Sequence, residues 1–179
     1  YHSRDLHSPE DGGWVAPYPL PTEWSACHAP IGSARVHGDG SELTIVTFAN
    51  GTYMSLRVAQ RLADDGIDVR VVDLRWLVPL PVADILREAE ATGRVLIVDE
   101  TRRSGGVSEG IVGALVDANF EGTISRLTSQ DSFVPLGEAA DHVLLQEAEI
   151  DAAARALVGS LGHRQRSGAD GSVAAGRAS

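Results

Sequence analysis

Two carboxylates and two guanidiniums stand almost side by side in Val98-Asp99-Glu100-Thr101-Arg102-Arg103, directly after an apolar run. Adjacent acids perturb one another's ionisation, which is what general acid catalysis exploits. Consecutive side chains at a strand end diverge, however, and Arg102 and Arg103 are at hand as partners. A structural ion-pair network is therefore the preferred reading of Asp99 and Glu100. A second apolar run stops in the same way at Val71-Val-Asp73-Leu-Arg75. An Asp at the end of a second strand can hold a dinucleotide ribose, but Phe48-Ala-Asn-Gly-Thr-Tyr53 lacks the three-glycine phosphate turn that such a site needs. Gly105-Gly106-Val107, ahead of a helix, offers either free N–H groups for an anion or bare backbone for packing against a neighbouring subunit. Packing is preferred.

Other reactive residues are sparse. His2, His7, His28, His37, His142 and His163 are scattered without metal-ligand spacing. Cys27, the only cysteine, lies in a polar, Pro-rich stretch with no base beside it. It excludes an intrachain disulfide, which is compatible with a reducing cytoplasm. All 15 basic residues are Arg, which removes Schiff-base lysines and the P-loop lysine together. A net charge of −10 argues against nucleic acid and favours a cationic protein partner, or plain solubility. No apolar run approaches the length that crosses a bilayer.

Residues 1–40 read as an irregular linker broken by Pro9, Pro17, Pro19, Pro21 and Pro30, with Trp14, Tyr18 and Trp24 placed to pack across a neighbouring surface. Residues 41–159 alternate strand and helix. Strands are expected at Leu43–Phe48, Val69–Leu74, Arg94–Val98, Thr123–Thr128 and, briefly, Val143–Leu145. Helices are expected at Thr52–Asp65, Val82–Thr92, Val107–Ala118 and Glu147–Val158, with Pro81 at a helix start and Gly66, Gly93 and Gly122 in left-handed positions after helix ends. Such alternation predicts an α/β fold: a three-layer open, mostly parallel sheet of about five strands with helices on both faces. Residues 160–179 read as a flexible tail.

Several segments, in order, resemble one family. They are Pro30-Ile-Gly-Ser-Ala-Arg35 leading into Leu43–Phe48, Val71-Val-Asp-Leu-Arg-Trp-Leu-Val-Pro-Leu-Pro81, Val95–Gly106, and Arg126-Leu-Thr-Ser-Gln-Asp131-Ser-Phe-Val-Pro135. Together they resemble the C-terminal domain of the thiamine-diphosphate-dependent decarboxylating component, beta-type, of 2-oxo acid dehydrogenase complexes. Tyr1–His7 looks like the end of a preceding domain, so the chain reads as the last domain of a larger subunit. The resemblance implies a transketolase-C-terminal-like domain with one antiparallel strand, in a parent enzyme that uses thiamine diphosphate and Mg²⁺. That parent would decarboxylate a 2-oxo acid oxidatively and pass the acyl group to lipoyl. Gly38-Asp39-Gly40 matches only the start of the cofactor motif, because Asn50 and Asn119 are wrongly spaced to complete it. Catalytic, cofactor and metal residues are accordingly expected outside this chain.

The resemblance implies contacts instead, with the rest of the subunit, a second copy, and the subunit-binding domain of a dihydrolipoyl acyltransferase. Glu121 matches an acidic docking position. Arg75, Glu100, Arg102, Gly106, Gly110 and Asp131 complete the interface candidates, and Thr101–Ala114, thin at Gly106, Gly110 and Gly113, is the expected self-association surface. Two alternatives stay open: the C-terminal domain of a transketolase-type enzyme, and a non-catalytic α/β interaction module.

Overall fold

Every residue of Leu43-Thr-Ile-Val-Thr47 is buried, as a central parallel strand covered on both faces requires. In the computed structural model, which describes residues 20–25 and 28–169 (backbone only for 160–169), this strand, β2, is the middle of a five-stranded sheet. The elements run β1 (Arg35–His37), β2 (Leu43–Thr47), α1 (Asn50–Asp64), β3 (Val69–Asp73), α2 (Val82–Thr92), β4 (Arg94–Arg102), α3 (Val107–Asp117), β5 (Thr123–Ser129) and α4 (Glu147–Ala169). The order across the sheet is β1-β3-β2-β4-β5. All pairs are parallel except β1 with β3, where Arg35 lies opposite Asp73.

Alternation along the strands sorts the core into two halves. Leu43, Ile45, Val71, Leu96 and Val98 pack under α1 and α4, joined by Met54, Val58, Leu62 and Ile150. Val46, Val72, Val95 and Ile97 point the other way, under α2 and α3, and meet Ile85, Ala89, Ile111 and Leu115. Each buried aliphatic side chain contributes about 1.5–3 kcal/mol.

The α/β three-layer expectation holds, and three local expectations do not. The fifth strand is not Val143–Leu145: the Val143 and Leu144 N–H groups both turn back to the Ala140 carbonyl, so neither is free for a ladder. The fifth strand is β1, inside the stretch that read as irregular linker. The last helix also runs to Ala169 rather than Val158, into the expected tail. Gly66 (φ 78°) and Gly93 (φ 66°) do take left-handed positions after helices, but at the end of α3 that role falls to Asn119 (φ 56°). The Asn119 and Phe120 N–H groups return to the Val116 and Leu115 carbonyls, the paired bonds of a Schellman end. Gly122 serves a different need, since a Cβ there would run into the Phe120 ring and the Gly93 carbonyl. Tyr1–His7, Trp14, Tyr18 and Cys27 lie outside the described residues.

Candidate functional site

The loops after β2 and β4 leave for opposite faces, one to α1 and the other to α3. Between those two strands lies the crevice that open α/β sheets use for ligands, outside their carboxyl ends. Glu100 occupies it here. Its Oε1 accepts the Asn50 N–H, the first of α1, at 3.3 Å, so a side chain from β4 caps the helix that follows β2. The close fit extends to Gly51, where a Cβ would press on Thr47 and lie 3.7 Å from the Val98 carbonyl. Burial raises the Glu100 pKa above the ordinary value; the bonds from Asn50 pull it down, and the neighbouring Asp99 pushes it up again.

Asp99 is fully buried. Its Oδ1 accepts the Thr101 N–H at 2.9 Å and the Thr101 hydroxyl at 2.6 Å, and its Oδ2 accepts the Ser108 N–H in the first turn of α3 at 2.8 Å. Three donors compensate the buried charge. The expected ion-pair network with Arg102 and Arg103 therefore does not form among the described residues. Arg102 turns away and donates from Nε to the Ser104 carbonyl at 3.0 Å. Arg75 is the guanidinium that does pair, reaching Asp73 Oδ2 at 3.3 Å, with its backbone in the left-handed region at φ 56°.

Asp131 fastens the loop after β5 to the loop after β4, accepting the Ser104 N–H at 2.8 Å and its hydroxyl at 2.6 Å. Those two bonds hold the Asp131 carboxyl below the usual carboxylate range. Gly106 is crowded within its own chain. A Cβ there would sit 2.6 Å from the Arg102 carbonyl, 2.8 Å from Thr101 Oγ1 and 2.9 Å from Asp99 Oδ2. Gly110 is exposed, with nothing within 4 Å of a Cβ. Asp73, Arg75, Glu100, Arg102, Gly106 and Asp131 thus share the carboxyl edge of the sheet. Glu121 does not join them: it is exposed in the turn between α3 and β5, at the opposite edge.

Among the described residues, the Gly38–Gly40 turn does not fit thiamine diphosphate with Mg²⁺. Gly40 is buried with its backbone against Val69, and the Gly40 and Asp39 carbonyls are taken by the Arg70 guanidinium. That turn precedes the amino end of β2, whereas Asn50 follows its carboxyl end. Among the described residues no group of three or more His, Cys, Asp or Glu side chains is arranged to hold a metal ion.

Sequence reasoning missed two features. Arg70 Nη1 and Glu88 Oε2 form a largely buried pair at 2.6 Å joining β3 to α2. The signal was present: Glu88 is one residue from Ala89 on the inner face of α2, and Arg70 falls inside an apolar strand. The second is an apolar loop after β5, where Phe133 and Leu136 are each 97% exposed and Val134 56%.

Residues 32–154 match the family model described as Transketolase, C-terminal domain. The chain belongs to that family. Among its relatives, the pyruvate dehydrogenase E1 component subunit beta of Bacillus subtilis (strain 168) is 32% identical over 112 residues, covering 61% of this chain and 34% of that subunit. The same subunit of Staphylococcus epidermidis is 30% identical over 131 residues, covering 72% of this chain and 40% of that subunit. The family domain therefore spans a third to two fifths of the length of these relatives. Among solved structures, a split gene transketolase, described as an inactive beta4 tetramer, superposes with a TM-score of 0.68 at 24% identity over 81% of this chain and 46% of that one. A 2-oxoglutarate:ferredoxin oxidoreductase from Magnetococcus marinus gives 0.54 at 17%, covering 80% of this chain and 24% of that one. Both share the fold. Among the described residues of this family member, no helix is long and apolar enough to cross a membrane.

Proposed function

We propose that this transketolase C-terminal domain belongs to a 2-oxo acid dehydrogenase decarboxylating subunit of the beta type, and that it serves assembly, not bond-making. The relatives are named pyruvate dehydrogenase subunits, which supports pyruvate as the 2-oxo acid. Thiamine diphosphate and Mg²⁺ would be held by other domains of the parent protein, and the acyl group would pass to lipoyl.

The observation that carries the assembly role is the loop Phe133-Val134-Pro135-Leu136. Four consecutive apolar residues, two of them almost wholly in water, are costly unless another surface covers them. Asp131 holds the base of the loop against Ser104, so the apolar tip is presented on a fixed stem. Rest-of-subunit and second-copy contacts are assigned to this edge. The subunit-binding domain of a dihydrolipoyl acyltransferase is assigned to the opposite edge, at Glu121.

The test uses the full-length subunit. Phe133→Ser combined with Leu136→Ser should leave the melting temperature of the domain unchanged while sedimentation reports weaker assembly. Glu121→Arg should slow docking of the isolated subunit-binding domain in surface plasmon resonance, with a salt-dependent on-rate. Unchanged assembly in the double variant would refute the first role, and unchanged docking in Glu121→Arg would refute the second.

A further inference from the structure

A second feature of the carboxyl edge is independent of that reading. Between β1, β3 and the start of α1 lies an open cleft of about 570 Å³, the size of an ordinary small-molecule site. Phe48, Leu56 and Leu77 provide apolar wall, and Arg35, His37 and Arg75 provide its donors. The single acid in the lining, Asp73, is already engaged by the Arg75 N–H and Nη1, both at 3.3 Å. Two guanidiniums against one committed carboxylate leave local positive charge on a chain whose net charge is −10. Arg35 is exposed and has no ion pair among the described residues.

The first turn of α1 contains no acid of its own and Ala49 ahead of it supplies no side-chain cap; Glu100 takes the Asn50 N–H, so the positive charge of the cleft rests on its arginines. The surrounding backbone points the same way. Ala49 (φ 50°) and Arg75 (φ 56°) are two of the three non-glycine residues in the left-handed region among those described, and both line the cleft. Strain of this kind persists where surrounding structure imposes it, often at binding sites. His37 is held below its usual pKa by burial and then by Arg35, with Arg75 adding to the effect and Asp73 opposing it. A neutral imidazole thus completes the donor set.

We propose that this cleft binds a small amphiphilic phosphate monoester, its oxyanion between Arg35 and Arg75 and its apolar body against Phe48, Leu56 and Leu77. Two planar guanidiniums suit a dianionic phosphate better than a single carboxylate, because each fork pairs with two oxygens. The apolar wall accounts for the rest of the volume.

The experiment titrates the isotopically labelled 179-residue chain with 1-naphthyl phosphate, 1-naphthol, inorganic phosphate and 1-naphthoic acid, reading amide shifts by NMR. Saturable shifts should centre on Ala49–Tyr53 and Asp73–Leu77, with naphthyl phosphate tightest. Losing one charge-assisted contact costs about tenfold, so Arg35→Gln should weaken naphthyl phosphate by about that factor. Arg103→Gln, in the loop after β4 and outside the cleft lining, should leave affinity unchanged and so exclude a net-charge effect. Arg35 is exposed, so the melting curve of Arg35→Gln should match the parent's. Absence of saturable shifts at millimolar ligand overturns the proposal, as does equal affinity for naphthol. Naphthoate binding as tightly as naphthyl phosphate overturns the phosphate assignment. An unchanged affinity in Arg35→Gln overturns the placement.

Discussion

Asp99 Oδ2 accepts the Ser108 N–H at 2.8 Å, so the carboxylate of a strand caps the helix that follows it. Gly106, at the position where a capping side chain would normally stand, has none. Strand end, bare glycine turn and helix start therefore form one polar unit: the buried Asp99 needs the donors of the turn, and the turn needs a residue without a Cβ to let them approach.

Removing the acceptor should be costly. Asp99→Ala leaves the Thr101 and Ser108 donors unpaired around a small void, a loss of about 3 kcal/mol. For a chain of this size that lowers the melting temperature by about 6–12 °C. Thermal unfolding followed by circular dichroism checks it. A shift within error would mean that water takes over the cap.

The two glycines of this region should respond in opposite directions. Gly106→Ala drives a methyl into the Arg102 carbonyl and the Asp99 carboxylate, and should destabilise by about 1–3 kcal/mol. Gly110→Ala meets open space within α3 and should stabilise by about 0.5–1 kcal/mol. Urea unfolding of the isolated chain separates them. In the assembled subunit, a bulky residue at 110 should in addition weaken self-association if the exposed face of α3 is covered there.

Glu100 sets a pH dependence. Because burial raises its folded pKa above the ordinary value near 4.5, its protonated form favours the folded state. That contribution is fully present below the ordinary value and is lost as pH rises through the raised pKa. Glu100→Gln stays neutral and keeps an oxygen to accept the Asn50 N–H. Its stability advantage over the parent should therefore grow from about pH 4 to about pH 7. Parallel urea titrations that show a constant difference would place the effect on another group.

The Arg70–Glu88 pair should behave as a buried one. Glu88→Ala removes the carboxylate partner of Arg70 Nη1 and leaves the guanidinium only the Gly40 and Asp39 carbonyls, and should cost about 1–3 kcal/mol. Glu88→Gln, which keeps an acceptor for Arg70 Nη1, should cost less. Chemical denaturation of the two variants side by side decides it, and equal losses would show that packing, not the pair, holds α2 to β3.

The layered sheet was legible in the sequence because its cause is local and periodic. Leu43-Thr-Ile-Val-Thr47 and Val95-Leu-Ile-Val98 are apolar enough for burial on both faces, and Met54, Val58 and Leu62 recur at helical spacing, so strands and helices could be read residue by residue. The glycines Gly66 and Gly93 marked helix ends for a reason equally local, the left-handed backbone. What the sequence could not settle depends on partners distant along the chain. Arg35–His37 is a strand only because the β3 edge offers it a ladder; alone, three residues between turns carry no period. Val143–Leu145 had a strand's composition but lost its donors to Ala140. Asp99 and Glu100 had arginines close by in sequence, yet their true partners are the backbone N–H groups of Ser108 and Asn50. Those groups come within reach only once α3 and α1 have folded back onto opposite faces of the sheet. Charge and spacing restricted what this edge could do; the direction each side chain takes from the folded strand decided which contacts formed.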